Sequence, residues 1–161
     1  MRRTLEFVAL AALGVLWAVT AYALLGANRL PPRIPIHFDL AGHPNGWGEP
    51  TVLLLVPAIG TVMYVLMTVV SRYPGSFNYP VRVTPANRAA LQELALRMMA
   101  WLKAELLVLF AWIQHGSIEA ARGSQGALSP VFILVVIAVV FSTVGWHIVA
   151  MRRAAGWNQR R

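Results

Sequence analysis

Cysteine is absent from the 161 residues, and charge is scarce. Charged residues make up 12% of the chain, lysine occurs once, and acids number six. Without cysteine there are no disulfides, no thiolate metal sites and no cysteine nucleophile. A soluble domain carries roughly 25% charged residues, so the shortage of charge excludes an ordinary soluble domain. No HExxH motif, phosphate-binding glycine loop or Ser-His-Asp set occurs. No basic face interleaved with aromatics appears either, so the net charge of +8 does not point to nucleic acid. No repeat or low-complexity tract stands out.

What is there is apolar. Hydrophobic residues make up 58% of the chain, and the mean hydropathy is +0.60. A hydrocarbon core of about 30 Å takes about 20 helical residues. Four segments meet that length: 5–27, 51–71, 98–118 and 129–151. The expected fold is therefore all-α: an integral membrane protein, one domain over 1–161, with four transmembrane helices. The first segment has a rival reading as a signal peptide cut near Ala21-Tyr22-Ala23. Its apolar run is longer than the roughly 7–15 residues of a signal h-region, which favours a span. In the second, Pro57 and Gly60 stand a turn apart and mark a kink or a hinge. The third is preceded by Thr84-Pro85, an N-cap and first-turn pair, and by Glu93 and Arg97 at i, i+4 spacing.

The charges order these spans. Arg2, Arg3, Arg72, Arg82, Arg88, Arg97, Arg152, Arg153, Arg160 and Arg161 fall on one side, and Arg29, Arg33 and Arg122 on the other. Positively charged flanks favour the cytoplasm, so both termini are expected in the cytoplasm and residues 28–50 outside. Lipid is the first partner.

Residues 30–50 hold five of the ten prolines and three of the twelve glycines. Proline forbids a helix here, so a compact structured loop is expected between the first two helices. Ile34, Ile36 and Phe38 alternate with Pro35, His37 and Asp39, the period of a strand with one apolar face. His43-Pro44-Asn45-Gly46 carries the chemistry of a tight turn, and Trp47 suits the water–lipid boundary. His37, Asp39 and His43 are a conceivable open zinc site. The plainer reading is that His37 and Asp39 bond the loop to itself.

Inside the apolar segments, Glu6, Lys103, Glu105 and His147 lie at similar depth near the cytoplasmic side. An ionisable group in lipid is unfavourable by several kcal/mol unless paired or snorkelling. They form a buried polar cluster or snorkel separately, and both readings stay open. Lys103 and Glu105, two residues apart on a helix, point to opposite faces and do not pair with each other. Gln114 and His115 sit at the outer end, within reach of loop carbonyls.

Leu30-Pro31-x-Arg33-Ile34-Pro35-Ile36-His37-Phe38-Asp39-x-x-Gly42-x-x-x-Gly46-Trp47-Gly48 resembles the hallmark of the bacterial DUF1648 membrane family. Asn78-Tyr79-Pro80-Val81, Thr84-Pro85-x-Asn87 and Trp101-Leu102-Lys103 are similar to its following segments. The sequence departs from the family at Asn45 and Pro50, where an acid and a lysine are usual. The resemblance implies a small multi-span bacterial plasma-membrane protein of unassigned activity, related to SdpI-type immunity proteins of a killing-factor system. Those bind a secreted toxin and signal to a repressor. A non-enzymatic immunity or signal-receptor role follows, with an extracellular peptide or protein ligand and a cytoplasmic regulator as partners. Its binding surface is the loop, with Pro35, His37, Phe38, Asp39, Gly42, Gly46 and Trp47. Two alternatives come from other classes: a small transporter subunit using the polar cluster, and a zinc-dependent membrane enzyme. No catalytic residue, resident metal or cofactor is assigned.

Overall fold

The structure is a computed structural model and describes residues 1–26, 30–39, 43–124 and 130–157. It is mostly helical. Helix α1 spans Arg2–Leu25, α2 Leu55–Val70, α3 Arg88–Ala121 and α4 Pro130–Trp157, with strands β1 Ile34–Phe38 and β2 Pro44–Gly48 between α1 and α2. Among the described residues three helical stretches are long and apolar enough to cross a membrane: Arg2–Leu25, Pro50–Val70 and Val131–Gly156. The chain is thus a multi-pass membrane protein. Its outward faces agree, because Phe7, Trp17, Val62, Leu134, Phe141 and Trp146 are all exposed. Apolar surface on that scale is foreign to soluble monomers.

Helix α3 does not meet the same test, and its position explains why. It packs against α1, α2 and α4, so its side chains meet protein where those of the other helices meet lipid. Leu5, Ala9, Ala12, Leu16, Thr20 and Ala23 recur every three or four residues along α1 and are buried. They form one stripe, as helical periodicity requires. Ala9 and Ala12 meet Ala100 and Ala104 of α3, small residues that let two helix backbones approach. Gly60 does the same for α2: a Cβ there would stand 3.1 Å from Leu16 Cδ2 and 3.4 Å from Leu107 Cδ2.

The bonds between helices fix their directions. Lys103 reaches Glu6 of α1 and Thr68 of α2, whereas Gln114 reaches Thr20 of α1 and Leu53 just before α2. Helices α1 and α3 are therefore parallel and α2 antiparallel to both. Thr143 meets Glu105, and Phe132 stacks on Trp112, so α4 also runs against α3.

Local chemistry sets the ends. Helix α3 starts at Arg88, and Thr84 does not cap it with its side chain as expected. The bond runs the other way: Asn87 Oδ1 accepts from the Thr84 backbone N–H at 2.8 Å, and Asn87 Nδ2 donates to Arg82 O at 3.0 Å. An amide three residues on reaches back, which is one half of a capping box. Further along, Arg97 Nε donates to Glu93 Oε1 at 2.7 Å, the pair the spacing calls for. Gly116 does not interrupt the helix. Its C-terminus closes with Gly123 at φ +92°, where Gly123 N–H donates to Ala120 O and Ser124 N–H to Glu119 O. That is the paired bonding of a glycine-terminated helix. Gln125 and Gly126, which follow in the chain, lie outside the described residues. In the connection before α3, Tyr79 packs with Phe77 and Val81 against Leu91, and its hydroxyl donates to Pro74 O. Burial raises its pKa above the ordinary 10.0.

Pro57 falls near the N-terminus of α2. It sits in the first turn, directly after a 3-10 turn over Pro50–Leu54, where a missing N–H is tolerated. One carbonyl four residues back, that of Leu53, receives no i+4 bond because Pro57 has no N–H. Gln114 Nε2 donates to that carbonyl at 2.9 Å, while also donating to Thr20 Oγ1 at 2.8 Å. An α3 side chain thus stands in for the bond that proline removes. Gln114→Leu is expected to destabilise by about 1–3 kcal/mol, the usual result of removing one partner of a buried hydrogen bond. The loss should shrink when Pro57→Ala returns an N–H to the helix. Detergent melting of the two single variants and the double variant checks this, and additive losses would contradict it.

Candidate functional site

The hairpin and the polar groups of α3 are the two places where chemistry gathers. In the hairpin the register pairs Ile34 with Gly48, Pro35 with Trp47, His37 with Gly46 and Phe38 with Pro44, leaving Ile36 and Asn45 without partners. Each is a bulge, one on either strand. The expected alternation is broken for that reason. Ile34 and Pro35 are buried, whereas Ile36 is 45% exposed. The turn expected at His43–Gly46 is also corrected, since Pro44-Asn45-Gly46 belong to β2. Proline is admissible as the first residue of a strand. Asp39 N–H donates to His43 O at 2.9 Å, so the chain reverses between those two residues. Gly42 falls there, outside the described residues.

Two glycines let the strands close. A Cβ on Gly46 would stand 2.9 Å from His37 Cβ, and one on Gly48 2.9 Å from Ile36 Cδ1. Ile34, fully buried, pins the hairpin to Ala23 of α1, Ile118 and Ala121 of α3, and Leu53. The polar residues of the loop bond to the loop. Asp39 Oδ1 accepts from the His43 backbone N–H at 2.8 Å, and the His43 ring stands 3.6 Å from Asp39 Oδ2. His37 Nδ1 meets Asn45 Oδ1. Among the described residues no three His, Asp or Glu side chains converge as ligands would, so His37, Asp39 and His43 do not group as the zinc reading requires. Phe38 is half-buried, His37 is exposed, and Trp47 is 55% exposed.

The four ionisable groups within the helices split into two sets on opposite sides of α3. On one side the Lys103 ammonium is fully bonded. It donates at 2.8 Å to each oxygen of Glu6 and at 2.9 Å to Thr68 Oγ1, and it lies 4.8 Å from the centre of the Tyr64 ring. Three donors meet three acceptors, with a cation–π contact besides. The Lys103 side chain is 1% exposed and that of Glu6 is 33% exposed. The pair opens to a cleft of about 460 Å³ lined by Arg2, Arg3, Arg72, Phe7 and Leu10. On the other side Glu105 Oε1 accepts from Thr143 Oγ1 at 2.6 Å, and His147 Nδ1 lies 2.8 Å from Thr143 O. The Glu105 carboxylate thus binds a hydroxyl, not a cation.

Sequence reasoning found the four charged groups but missed their neutral partners. Thr68 and Thr143 carried only a weak signal: each is one of a few hydroxyls in an otherwise apolar helix, with Thr61 in α2 and Ser142 in α4 beside them. Gln114 was read as reaching a loop carbonyl; the carbonyl it meets is that of Leu53, in the 3-10 turn after the loop. His115 is exposed.

Residues 10–61 match the family described as DUF1648, a domain of unknown function. The similar stretches at Asn78–Val81, Thr84–Asn87 and Trp101–Lys103 lie beyond the matched residues. An uncharacterized protein of Archaeoglobus fulgidus is 32% identical over 79 residues, which cover 44% of this chain and 42% of that protein. The chain thus matches about two fifths of that relative's length. No solved structure matches.

The buried pair yields a directional expectation. Glu6→Ala leaves Lys103 buried and unpaired, a loss of about 3–5 kcal/mol for a fully buried pair and less here because Glu6 is partly exposed. Lys103→Met removes the buried charge itself and is expected to be much milder. Melting temperatures in detergent should therefore rank wild type and K103M well above E6A. E6A melting at or above K103M would show that the pair is not buried in the membrane-embedded protein.

Proposed function

We propose that this chain, whose residues 10–61 are a DUF1648 domain, is a four-span plasma-membrane protein with cytoplasmic termini that displays its hairpin outside the cell as a recognition surface. The role is of the immunity or signal-receptor type and is not enzymatic. The observation that carries the reading is the anchoring of the hairpin. Ile34 is buried among α1 and α3 residues, Gly46 and Gly48 bring the strands together, and His37 and Trp47 remain open. A surface ordered before binding loses little conformational freedom when it docks. Four spans are supported by α3 running between the same two ends of the bundle as α1. The arginine asymmetry supports the orientation.

A transporter is the second reading, favoured by the buried Lys103–Glu6 pair and the cleft beside it. Against it, the Glu6–Lys103 and Glu105–His147 sets lie on opposite sides of α3 and form no single line of groups. Solute or proton flux in liposomes tests this reading.

Photo-crosslinking residues at 37 and 47 in living cells are expected to capture a peptide or protein on the outer face. The same adduct should be missing from a crosslinker at exposed position 73 and from a chain with residues 34–48 scrambled. Adducts at 37 and 47 that contain only lipid would contradict a recognition surface.

A further inference from the structure

We propose that the pocket between α3 and α4 binds a primary ammonium group carried on an apolar body. The pocket holds about 450 Å³ and is lined by Trp101, Glu105, Val139, Ser142, Trp146 and His147, with Met1 also contributing. Two polar atoms of its lining residues are buried and have no hydrogen-bond partner: Glu105 Oε2 and His147 Nε2. Nearly every buried polar group in a folded protein is bonded, so this pair sets the chemistry of an occupant.

With Glu105 as a carboxylate and His147 as a neutral imidazole, both orphans are acceptors. Glu105 uses its other oxygen to accept from the Thr143 hydroxyl, and a carboxylate has only acceptor sites to offer. His147 Nδ1 faces the Thr143 carbonyl, which can only accept, so Nδ1 carries the proton and neutral imidazole presents a lone pair at Nε2. His147 is 2% exposed. An occupant that satisfies both atoms must bring at least two donors, and beside a carboxylate and two indole rings it gains most by being a cation. An ammonium has three N–H donors and fits. Among the described residues no cation bonds either orphan, the α-ammonium of pocket-lining Met1 included. Lys103 is fully engaged by Glu6 and Thr68. The remaining walls, Val139 and the Trp101 and Trp146 rings, are apolar, and Trp146 is 60% exposed toward the surface that lipid covers. An amphipathic amine entering from the bilayer meets both requirements. A free alkylamine and the ethanolamine head group of a phospholipid share this chemistry.

The test is thermal unfolding of the full chain in phosphatidylcholine nanodiscs titrated with decylamine. The midpoint should rise saturably. Decyltrimethylammonium has the same chain and charge but no N–H, and should bind at least ~tenfold more weakly, the value of one charge-assisted hydrogen bond. Glu105→Gln should weaken decylamine by a similar factor. Ser142→Phe, at an exposed position of the pocket, should do the same without touching the carboxylate, which covers the case in which E105Q folds poorly. Glu119→Gln should bind as wild type. Equal binding of the two amines, or wild-type binding by both E105Q and S142F, would overturn the proposal. Replacing phosphatidylcholine by phosphatidylethanolamine separates the sources. A fall in apparent decylamine affinity makes the lipid head group the occupant, and an unchanged affinity assigns the pocket to free amines. Either result stands with an ammonium site.

Discussion

A lysine with a 1% exposed side chain in an apolar bundle has to bond every proton its ammonium carries. Lys103 does so, and the arrangement of three helices follows. Two of its donors take the Glu6 carboxylate of α1, and the third takes the Thr68 hydroxyl of α2. At the other end of the same helix Gln114 bonds Thr20 of α1 and the Leu53 carbonyl, to which Pro57 cannot donate. Two polar side chains eleven residues apart, about 17 Å at 1.5 Å per residue, pin α3 to its neighbours at both ends. Between them the contact is apolar and small, Ala9 and Ala12 against Ala100 and Ala104.

This constraint also explains why the least apolar helix lies at the centre. A helix facing lipid must be apolar on its outer surface, as α1, α2 and α4 are. A helix surrounded by other helices is free to carry Lys103, Glu105 and Gln114, provided each finds a partner. Glu105 and His147 meet that condition only in part, and their unpaired atoms belong to the lining of one pocket, while Gln114 Oε1, nearer the other end, has no partner among the described residues. The bundle then has two different ends. One holds the hairpin, anchored by Ile34. The other holds the Glu6–Lys103 pair with its arginine-lined cleft and, across α3, the Glu105–His147 pocket.

Much of this was legible in the sequence. The apolar runs gave the helices, and helical spacing placed Lys103 and Glu105 on opposite faces. The common depth of Glu6, Lys103, Glu105 and His147 could be read as well. Which groups pair could not, because the partners Thr68 and Thr143 look like ordinary hydroxyls in apolar helices. The hairpin was read less well. Alternation along 34–39 is a correct strand signal, but bulges at Ile36 and Asn45 shift the faces, and no local residue announces a bulge. Pro44-Asn45-Gly46 has turn chemistry, yet pairing with β1 takes it into a strand. Thr84-Pro85 looked like a helix start, but the Asn87 side chain reached back first.

The proposed four-span topology requires α3 to cross the bilayer between the two ends of the bundle despite its buried polar groups. Single-cysteine labelling tests this directly, since the chain has no native cysteine. Cysteine is placed at 93 in one variant and at 122 in another, positions that flank the embedded part of α3, where Glu93 and Arg122 are at least partly exposed. In sealed right-side-out and inverted vesicles, an impermeant reagent should reach position 93 only from the cytoplasmic face and position 122 only from the opposite face. Labelling of both positions from the same face would contradict the account and make α3 a helix that does not span.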